Sequence, residues 1–257
     1  MQTMDTDRFA AQRTTTAAIE MVGLNHTYDV EPVLRGVDLT IERGEIFGFL
    51  GHNGAGKTTA VNILTTLITP TSGTARVQGF DVVTQRHEVT SQIGYLPAEV
   101  RMYPHMTARE NLEFFAKLSG VVDARSAALE TLDYLECSDL ADRRVGSFST
   151  GMRQRVGIAQ AIIHKPSVLF LDEPTSGLDP VGVRQLRDTI LRLNSDLGMT
   201  VFMNTHLLSE VAKVCTTIGV LNHGELIYKD TIEATTARFP DETSLEDIYV
   251  RMEAIPS

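Results

Sequence analysis

One glycine-rich stretch limits the folds available to this chain more than any other feature: Gly51, His52, Asn53, Gly54, Ala55, Gly56, Lys57, Thr58 and Thr59. It matches the pattern G-x-x-x-x-G-K-S/T, follows the apolar run "EIFGFL" and precedes a helix predicted from Lys57 to about Ile68. A buried strand, a glycine loop and a helix in this order are the context in which the pattern binds phosphate. The glycines let the backbone wrap a triphosphate, Lys57 brings a charge to the β- and γ-phosphates, and Thr58 offers a hydroxyl to Mg²⁺. We therefore predict a nucleotide site in an α/β fold.

Strand-like and helical segments alternate on both sides of this loop. Short apolar runs such as "SVLFLDEP" and "MTVFMNTH" are typical of strands in a sheet, and the helices predicted between them favour βαβ units. From about residue 99 to residue 165 the pattern changes to amphipathic helices, and "TARENLEFFAKL" begins with the spacing of a capping box. We predict a mostly parallel sheet with an inserted helical subdomain in one domain over residues 18–232. A flexible tail (1–17) precedes it, and a short helical extension (233–257) follows.

The run "SVLFLDEP" ends in two carboxylates, Asp172 and Glu173. Because ligands bind at the carboxyl ends of parallel strands, we expect both side chains near the nucleotide. Asp172 is expected to help hold Mg²⁺ through a water, and Glu173 to orient and polarise an attacking water. In a chain without a P-loop, the same pair would be interpreted as an exposed acidic strand end.

The composition narrows the choice of partner and compartment. A net charge of -10 and a pI of about 5.2 disfavour nucleic acid as a partner, although a local loop of N–H groups can still bind an anionic nucleotide. Cys137 and Cys215 lie far apart, which indicates neither a disulfide framework nor a zinc site and favours a reducing compartment. The chain has no apolar secretory signal and no apolar run long enough to span a bilayer, so a role at a membrane requires a partner.

A second small-residue loop, "FSTGMRQR", has no evident role in the nucleotide site of its own subunit. Ser149 and Gly151 stand at the start of a predicted helix, where backbone N–H groups and the helix dipole favour phosphate. A two-fold dimer would use this helix end, because each loop would then cover the γ-phosphate held by the partner's P-loop. The alternative is that Ser149 is only an N-cap and that Gly151 is incidental.

These motifs together resemble the nucleotide-binding subunits of ABC transporters, in order and over about residues 18–232. "GHNGAGKTT" resembles the Walker A loop, "VLFLDEP" is similar to Walker B, and "NTH" ends in His206, which resembles the switch histidine. "FSTGMRQR" stands at the place of the signature loop, whose candidate phosphate contacts are Ser149, Thr150, Gly151 and Met152. "SGLDP" resembles the D-loop of the dimer interface, represented by Ser176, Gly177, Leu178 and Asp179.

The resemblance implies a P-loop NTPase fold with an N-terminal antiparallel β subdomain, and it implies ATP and Mg²⁺ as ligands. Glu173 would be the catalytic carboxylate, His206 would contact the γ-phosphate and help hold the attacking water, and Tyr28 would stack on adenine. From the residues alone, His206 could be a polar strand end, and Tyr28 could be a packing residue.

The resemblance also implies partners and a location. The partners would be a separate integral-membrane permease subunit and a second ATPase subunit, identical or paralogous. The chain would lie in the cytoplasm on the inner face of the cell membrane. It looks most like the single-domain ATPases of bacterial and archaeal drug or lipid/polysaccharide exporters.

Two motifs depart from the family pattern. Ala98 stands where the family usually has a glutamine after "IGYLP", so Glu99 or a water would have to replace its contact to Mg²⁺. Thr150 and Met152 replace the commoner glycine and glutamine of the signature loop, although Ser149 and Gly151 remain.

Two other functions stay open at this stage. The first is an ABC ATPase that acts on ribosomes or DNA, against which the single domain, the missing coiled coil and the acidic charge all argue. The second is a regulator that binds ATP without hydrolysing it, which only Ala98 favours.

Overall fold

The structure is a computed structural model that describes residues 17–242 and 244–253. Of the predicted N-terminal tail (1–17), only Ala17 lies within the described residues, and the last four residues of the predicted C-terminal extension (254–257) also lie outside them. The strands in the described residues are β1 (Ala17–Tyr28), β2 (Glu31–Glu42), β3 (Ile46–Leu50), β4 (Ser72–Val77), β5 (Phe80–Asp81), β6 (Ile93–Leu96), β7 (Val168–Asp172), β8 (Thr200–Asn204), β9 (Thr217–Asn222) and β10 (Glu225–Thr231).

The helices lie between and after these strands. They are α1 (Lys57–Leu64), α2 (Arg86–Gln92), α3 (Ala108–Leu118), α4 (Ala124–Tyr134), α5 (Thr150–Ile162), α6 (Pro180–Leu197), α7 (Leu208–Val214), α8 (Ile232–Arg238) and α9 (Leu245–Glu253). None of the helices within the described ranges is both long and apolar enough to cross a lipid bilayer.

Two sheets organise the fold. The N-terminal sheet is antiparallel and has the order β2-β1-β4-β5. The second sheet has the order β10-β9-β3-β8-β7-β6, and its strands are parallel except β10, which returns antiparallel to β9 through a His223-Gly224 turn. The predicted antiparallel subdomain and parallel core are therefore confirmed.

The parallel strands are buried on both faces, which explains their continuous apolar sequences. Every residue of β3, β7 and β8 is buried. Alternate residues point to opposite sides, so that four phenylalanines pack together on the side of the N-terminal sheet, with ring centroids 5.2–6.1 Å apart: Phe47, Phe49, Phe170 and Phe202. Residues on the other side pack beneath the helices.

Helix α1 begins at Lys57 as predicted but ends at Leu64, so the predicted end near Ile68 was wrong. The chain leaves the helix at Thr66, which adopts a left-handed conformation with φ 66°. The N–H groups of Leu67 and Ile68 then both donate to the Asn62 carbonyl, at 2.8 and 3.2 Å. Backbone bonds of this kind satisfy the last carbonyls of a helix and end it.

Amphipathic helices fill the region between β6 and β7. Helix α3 begins with the predicted capping box, in which the Glu110 N–H donates to the Thr107 hydroxyl and the Thr107 N–H donates to the Glu110 carboxylate. Helix α5 follows Ser149, whose hydroxyl accepts from the Met152 N–H at 3.3 Å. The boundaries proposed for this subdomain, about 99–165, stay a prediction.

Helix α5 lies close to β6 because two glycines leave room for it. A Cβ atom on Gly94 would lie 2.3 Å from the Ala161 carbonyl oxygen. A Cβ atom on Gly157 would lie 2.8 Å from side-chain carbons of Leu96 and of Val100. Side chains at either glycine would push the helix off the strand, so the pair fixes the position of α5 on the parallel sheet.

Candidate nucleotide-binding and hydrolysis site

The glycine loop leaves β3 at the centre of the parallel sheet and leads directly into α1. Close backbone contacts require two of its glycines: a Cβ atom on Gly51 would lie 2.4 Å from the Leu221 carbonyl oxygen, and one on Gly56 would lie 2.7 Å from that of Val33. Gly56 also has φ 108°, which side chains rarely allow. The loop is thus packed against β2 and the end of β9.

The predicted phosphate-binding lysine points into this loop. The Lys57 ammonium donates to the carbonyl oxygens of Gly51 and His52, at 2.5 and 3.1 Å, and the residue is buried. Thr58, the next residue, is exposed, whereas Thr59 is buried in the fold. The loop therefore combines a fixed positive charge with an accessible hydroxyl at the start of α1.

The acidic residue Asp172 ends β7 beside the last residue of β8. Its carboxylate accepts a hydrogen bond of 2.6 Å from the Asn204 amide, and both residues are buried. Burial raises the pKa of Asp172 above its ordinary value, and the Glu173 charge adds to this, while the Asn204 hydrogen bond and the Lys57 charge oppose it. A cation bound beside Asp172 would offset the free energy that burial of the charged carboxylate costs.

Asp172→Asn is expected to stabilise the nucleotide-free protein at neutral pH. Folding raises the pKa of Asp172, so the charged carboxylate destabilises the folded protein at pH values above that pKa. This cost disappears as the pH falls, because the carboxyl group is then protonated in both the folded and the unfolded protein. We expect a melting temperature a few degrees higher, since ~1 kcal/mol corresponds to roughly 2–4 °C in a chain of this size. Thermal unfolding at several pH values tests this, with the exposed Asp188→Asn as the matched control. An equal or lower melting temperature for Asp172→Asn would contradict it.

Glu173 and His206 meet at the carboxyl ends of β7 and β8. The His206 Nδ1 lies 2.7 Å from the Glu173 Oε2, and the Glu173 N–H donates to the Asn204 carbonyl at 2.8 Å. Glu173 has φ 46°, an uncommon backbone conformation for a side chain of this size. Glu173 therefore follows the buried strand β7 directly, and its left-handed backbone turns the chain out of the strand direction.

A cavity of about 420 Å³ joins these elements. It is lined by the end of β3, the segments that follow β3, β7 and β8, the first residue of α7 and one residue of α9: Leu50, Gly51, His52, Asn53, Glu173, Thr205, His206, Leu208 and Tyr249. The structure thus brings the first half of the glycine loop next to the carboxylate and imidazole that the sequence predicted for hydrolysis.

Tyr28 occupies a different position, at the end of β1. Its ring is exposed and meets the buried His26 ring edge-on, with centroids 4.5 Å apart. Leu34, paired with His26 across the sheet, reaches the glycine loop, because its side chain would lie 2.9 Å from a Cβ atom on Gly56. Tyr28 is therefore connected to the loop through His26 and Leu34, and it does not line the cavity that contains Glu173.

The comparison with known sequences decides the family. A profile described as ABC transporter matches residues 34–176, more than half of the chain. The chain belongs to the ABC transporter family.

Similar proteins agree with this result. YcbN of Bacillus subtilis (strain 168), an uncharacterized ABC transporter ATP-binding protein, is 39% identical over 218 residues, which cover 85% of this chain and 71% of YcbN. The bacitracin transport ATP-binding protein BcrA of Bacillus licheniformis is 37% identical over 209 residues, or 81% of this chain and 68% of BcrA. The dimeric structure of the ATP-binding cassette MJ0796, in a post-hydrolysis state bound to ADP and Pi, superposes with a TM-score of 0.74 at 27% identity, over 83% of this chain and 98% of that one.

The predicted family and the predicted fold are therefore confirmed. The chain is an ATP-binding subunit of the ABC transporter type and hydrolyses ATP. The roles of its individual residues are proposals that the geometry supports.

At the family's signature position, Ser149 and Thr150 are exposed and Gly151 and Met152 are half-buried, and none of the four lines the cavity of its own subunit. This loop contacts the D-loop of the same chain: a Cβ atom on Gly151 would lie 3.8 Å from Leu178, and one on Gly177 would lie 3.4 Å from Thr150. Asp179 ends the D-loop as the N-cap of α6, accepting from the Gly182 N–H at 2.7 Å. The two loops form one exposed surface beside the acidic strand end.

The loop after β6 lacks the usual glutamine of ABC ATPases. Ala98 occupies that position, and the Glu99 carboxylate lies 3.0 Å from the Arg101 guanidinium in an exposed ion pair. Glu99 is therefore engaged with a neighbour on the surface, and the structure gives it no contact to Asp172 or Glu173.

Sequence reasoning missed three residues of this site. Asn204 holds Asp172, the buried Gln154 of α5 donates to the Pro174 carbonyl at 2.8 Å, and Tyr249 lines the cavity. Asn204 ends β8, a strand that the sequence predicts, and β8 pairs with β7 in the structure. Gln154 and Tyr249 reach the site through tertiary packing, for which their local sequences carry no signal.

Proposed function

We propose that this chain is the ATPase subunit of an ABC exporter, working as a dimer on a separate membrane subunit. The observation that carries the proposal is the Glu173–His206 pair, 2.7 Å apart, in the same cavity as Gly51 and Asn53 of the glycine loop. A carboxylate and an imidazole at this edge can orient water toward a bound γ-phosphate.

The phosphates of ATP would bind to the N–H groups of the glycine loop and to Lys57. Thr58 and Asp172 would hold Mg²⁺, which supplies charge neutralisation when it is bound. The residues fit this ion, since Thr58 is exposed at the start of α1 and Asp172 is a buried carboxylate that burial makes costly to charge. Tyr28 would stack on the adenine.

Hydrolysis requires little covalent chemistry from the protein. Water attacks the γ-phosphorus, the bond to the bridging oxygen of ADP breaks, and phosphate leaves. Glu173 would orient and polarise that water, while His206 would contact the γ-phosphate. The contribution of the chain is positioning and charge stabilisation.

The second ATPase subunit would complete the site. Ser149, Thr150, Gly151 and Met152 would cover the γ-phosphate held by the partner, and the D-loop residues Ser176, Gly177, Leu178 and Asp179 would line the interface. The exposed position of both loops, outside the cavity of their own subunit, supports this arrangement. Loss of the γ-phosphate would loosen the dimer, move the helical subdomain (about 99–165) of the ATPase domain (18–232), and so drive the membrane subunit.

The proposed location is the cytoplasmic face of the cell membrane, in contact with the permease subunit. Similarity to BcrA, which is named for bacitracin transport, supports export. The acidic charge of the chain argues against nucleic acid as an alternative partner.

Turnover that depends on Mg²⁺ and association with membranes test this function. We expect the purified chain with its membrane subunit to hydrolyse ATP with magnesium present and to stop when EDTA removes it. We expect the tagged chain to sediment with membranes, and not with ribosomes, from lysed cells. Binding of ATP without turnover would favour the regulator, and sedimentation with ribosomes or DNA would favour the non-transport ATPase.

A further inference from the structure

The cavity that contains Glu173 and His206 has a wall that none of the family motifs supplies. Tyr249, close to the end of the described chain, lines it together with the start of the glycine loop. It belongs to α9, which lies outside the residues matched by the family profile. The last described helix therefore takes part in forming the hydrolysis site.

Helix α9 is held firmly in this position. Leu245, Ile248 and Met252, spaced along one helical face, are buried at 8%, 3% and 4% exposure within the core beneath the parallel sheet. Ser244 caps its start, accepting from the Asp247 N–H at 3.2 Å. The Arg251 guanidinium pairs with Glu242 at 3.0 Å. Tyr249 follows Ile248 directly, so its ring is placed at the border between this buried face and the cavity.

The same helix also supports the loop that carries His206. Helix α9 packs against α7, which begins at Leu208, two residues after His206. Leu208 lines the cavity with Tyr249, and both pack against the same core cluster. A displacement of α9 would therefore reach His206 both through the cavity wall and through α7.

His206 needs such support because its own side chain is 63% exposed. An imidazole on a loop can adopt several rotamers, and each that turns it away from the γ-phosphate lowers the fraction of competent sites. We propose that Tyr249 is a positioning residue for hydrolysis, whose ring bounds the space occupied by the His206 imidazole and the attacking water. This inference rests on the roles proposed for Glu173 and His206.

The proposal predicts an effect on turnover and not on ATP affinity. The phosphates would be bound by Lys57 and the N–H groups of the glycine loop, and the adenine by Tyr28, whereas Tyr249 would act on the position of the His206 imidazole. Tyr249→Ala is therefore expected to lower kcat about 10-fold, because misplacing a group at a reacting centre can cost up to ~100-fold. The dissociation constant for ATP should change by less than about 2-fold. Tyr249→Phe should retain most of kcat, since it keeps the ring that lines the cavity.

The matched control is Val250→Ala, which shortens an exposed side chain of the same helix and should leave kcat unchanged. A double-mutant cycle separates positioning from loss of structure. If Tyr249 acts through His206, the double variant Tyr249→Ala/His206→Ala hydrolyses ATP no more slowly than His206→Ala alone. If the two losses multiply, the inference is overturned. If melting curves show that Tyr249→Ala is unfolded, Tyr249→Leu takes its place, because leucine keeps more of the packing.

The failure of this inference can be told apart from the failure of the proposed function. Normal kcat in Tyr249→Ala, beside a large loss in Glu173→Gln, would reject the role of α9 and leave the hydrolysis site intact. Normal turnover in Glu173→Gln would reject the hydrolysis site itself, whatever Tyr249→Ala does. Weaker ATP binding in Tyr249→Ala with unchanged kcat would also overturn the inference, because it would place the tyrosine in binding.

Discussion

Glu173→Gln is expected to lower ATP turnover at least ~100-fold while ATP binding persists. Glutamine has the shape of glutamate and can keep a hydrogen bond to His206, which now lies 2.7 Å from the carboxylate. It also inherits the same left-handed backbone at position 173, so the fold is disturbed little. What disappears is the negative charge that we propose polarises the attacking water.

The variant should also accumulate as a dimer when ATP and magnesium are present, because the γ-phosphate proposed to join the two subunits would no longer be removed. Analytical ultracentrifugation with and without nucleotide measures this, and phosphate release measures the turnover. Glu225→Gln, at an exposed carboxylate of β10, is the control for the loss of one charge. Turnover near that of the native chain would show that another group activates the water.

Two inactive variants are expected to restore each other's activity when mixed. Lys57→Ala removes the charge proposed to contact the phosphates, and charged hydrogen bonds of this kind contribute ~1.5–3 kcal/mol, or about 10- to 100-fold in affinity. Gly151→Asp places a negative charge at the N-terminus of α5, where it repels a phosphate. The new side chain has space, because the nearest atom to its Cβ is 3.8 Å away on Leu178.

If the sites are composite as proposed, both defects fall in one site of a mixed dimer, and the other site is intact. If subunits exchange freely and sites act independently, an equimolar mixture should show about a quarter of the native turnover, since about half of the dimers are mixed and each has one working site. Each variant alone should be nearly inactive. Gly151→Ala controls for the added volume without the charge. A mixture as inactive as its components would show that Ser149 and Gly151 serve the nucleotide of their own subunit.

The sequence was sufficient to predict the strands and helices whose local residue pattern agrees with their place in the tertiary structure. Continuous apolar runs predicted β3, β7 and β8, because strands buried on both faces have no polar side. The glycine loop predicted the strand before it and the start of α1, since phosphate binding requires that order. The length of α1 was wrong, because its end depends on the backbone of Thr66 and not on apolar periodicity.

The candidate site was predictable only where its residues belong to motifs. Gly51, Glu173 and His206 come from three separate segments, and the parallel sheet brings their strand ends together at one edge. Tyr249 reaches the same cavity from a helix whose amphipathic pattern shows only that one face is buried. Which surface that face covers is a property of the whole fold, so no local pattern could assign the tyrosine to the site.

The close approach of α5 to β6 connects the loop after β6 mechanically to the signature loop. Because Gly157 lets Leu96 and Val100 touch the helix directly, the loop that contains Ala98 rests against the middle of the rod whose tip carries Ser149. A displacement of that loop by the membrane subunit would tilt α5. Its N-terminus at Ser149 would then move relative to the nucleotide bound by the partner subunit. This coupling would depend on the packing of rigid elements and not on a hydrogen bond. It would therefore transmit a conformational change of the permease to the nucleotide site even though Ala98 replaces the usual glutamine.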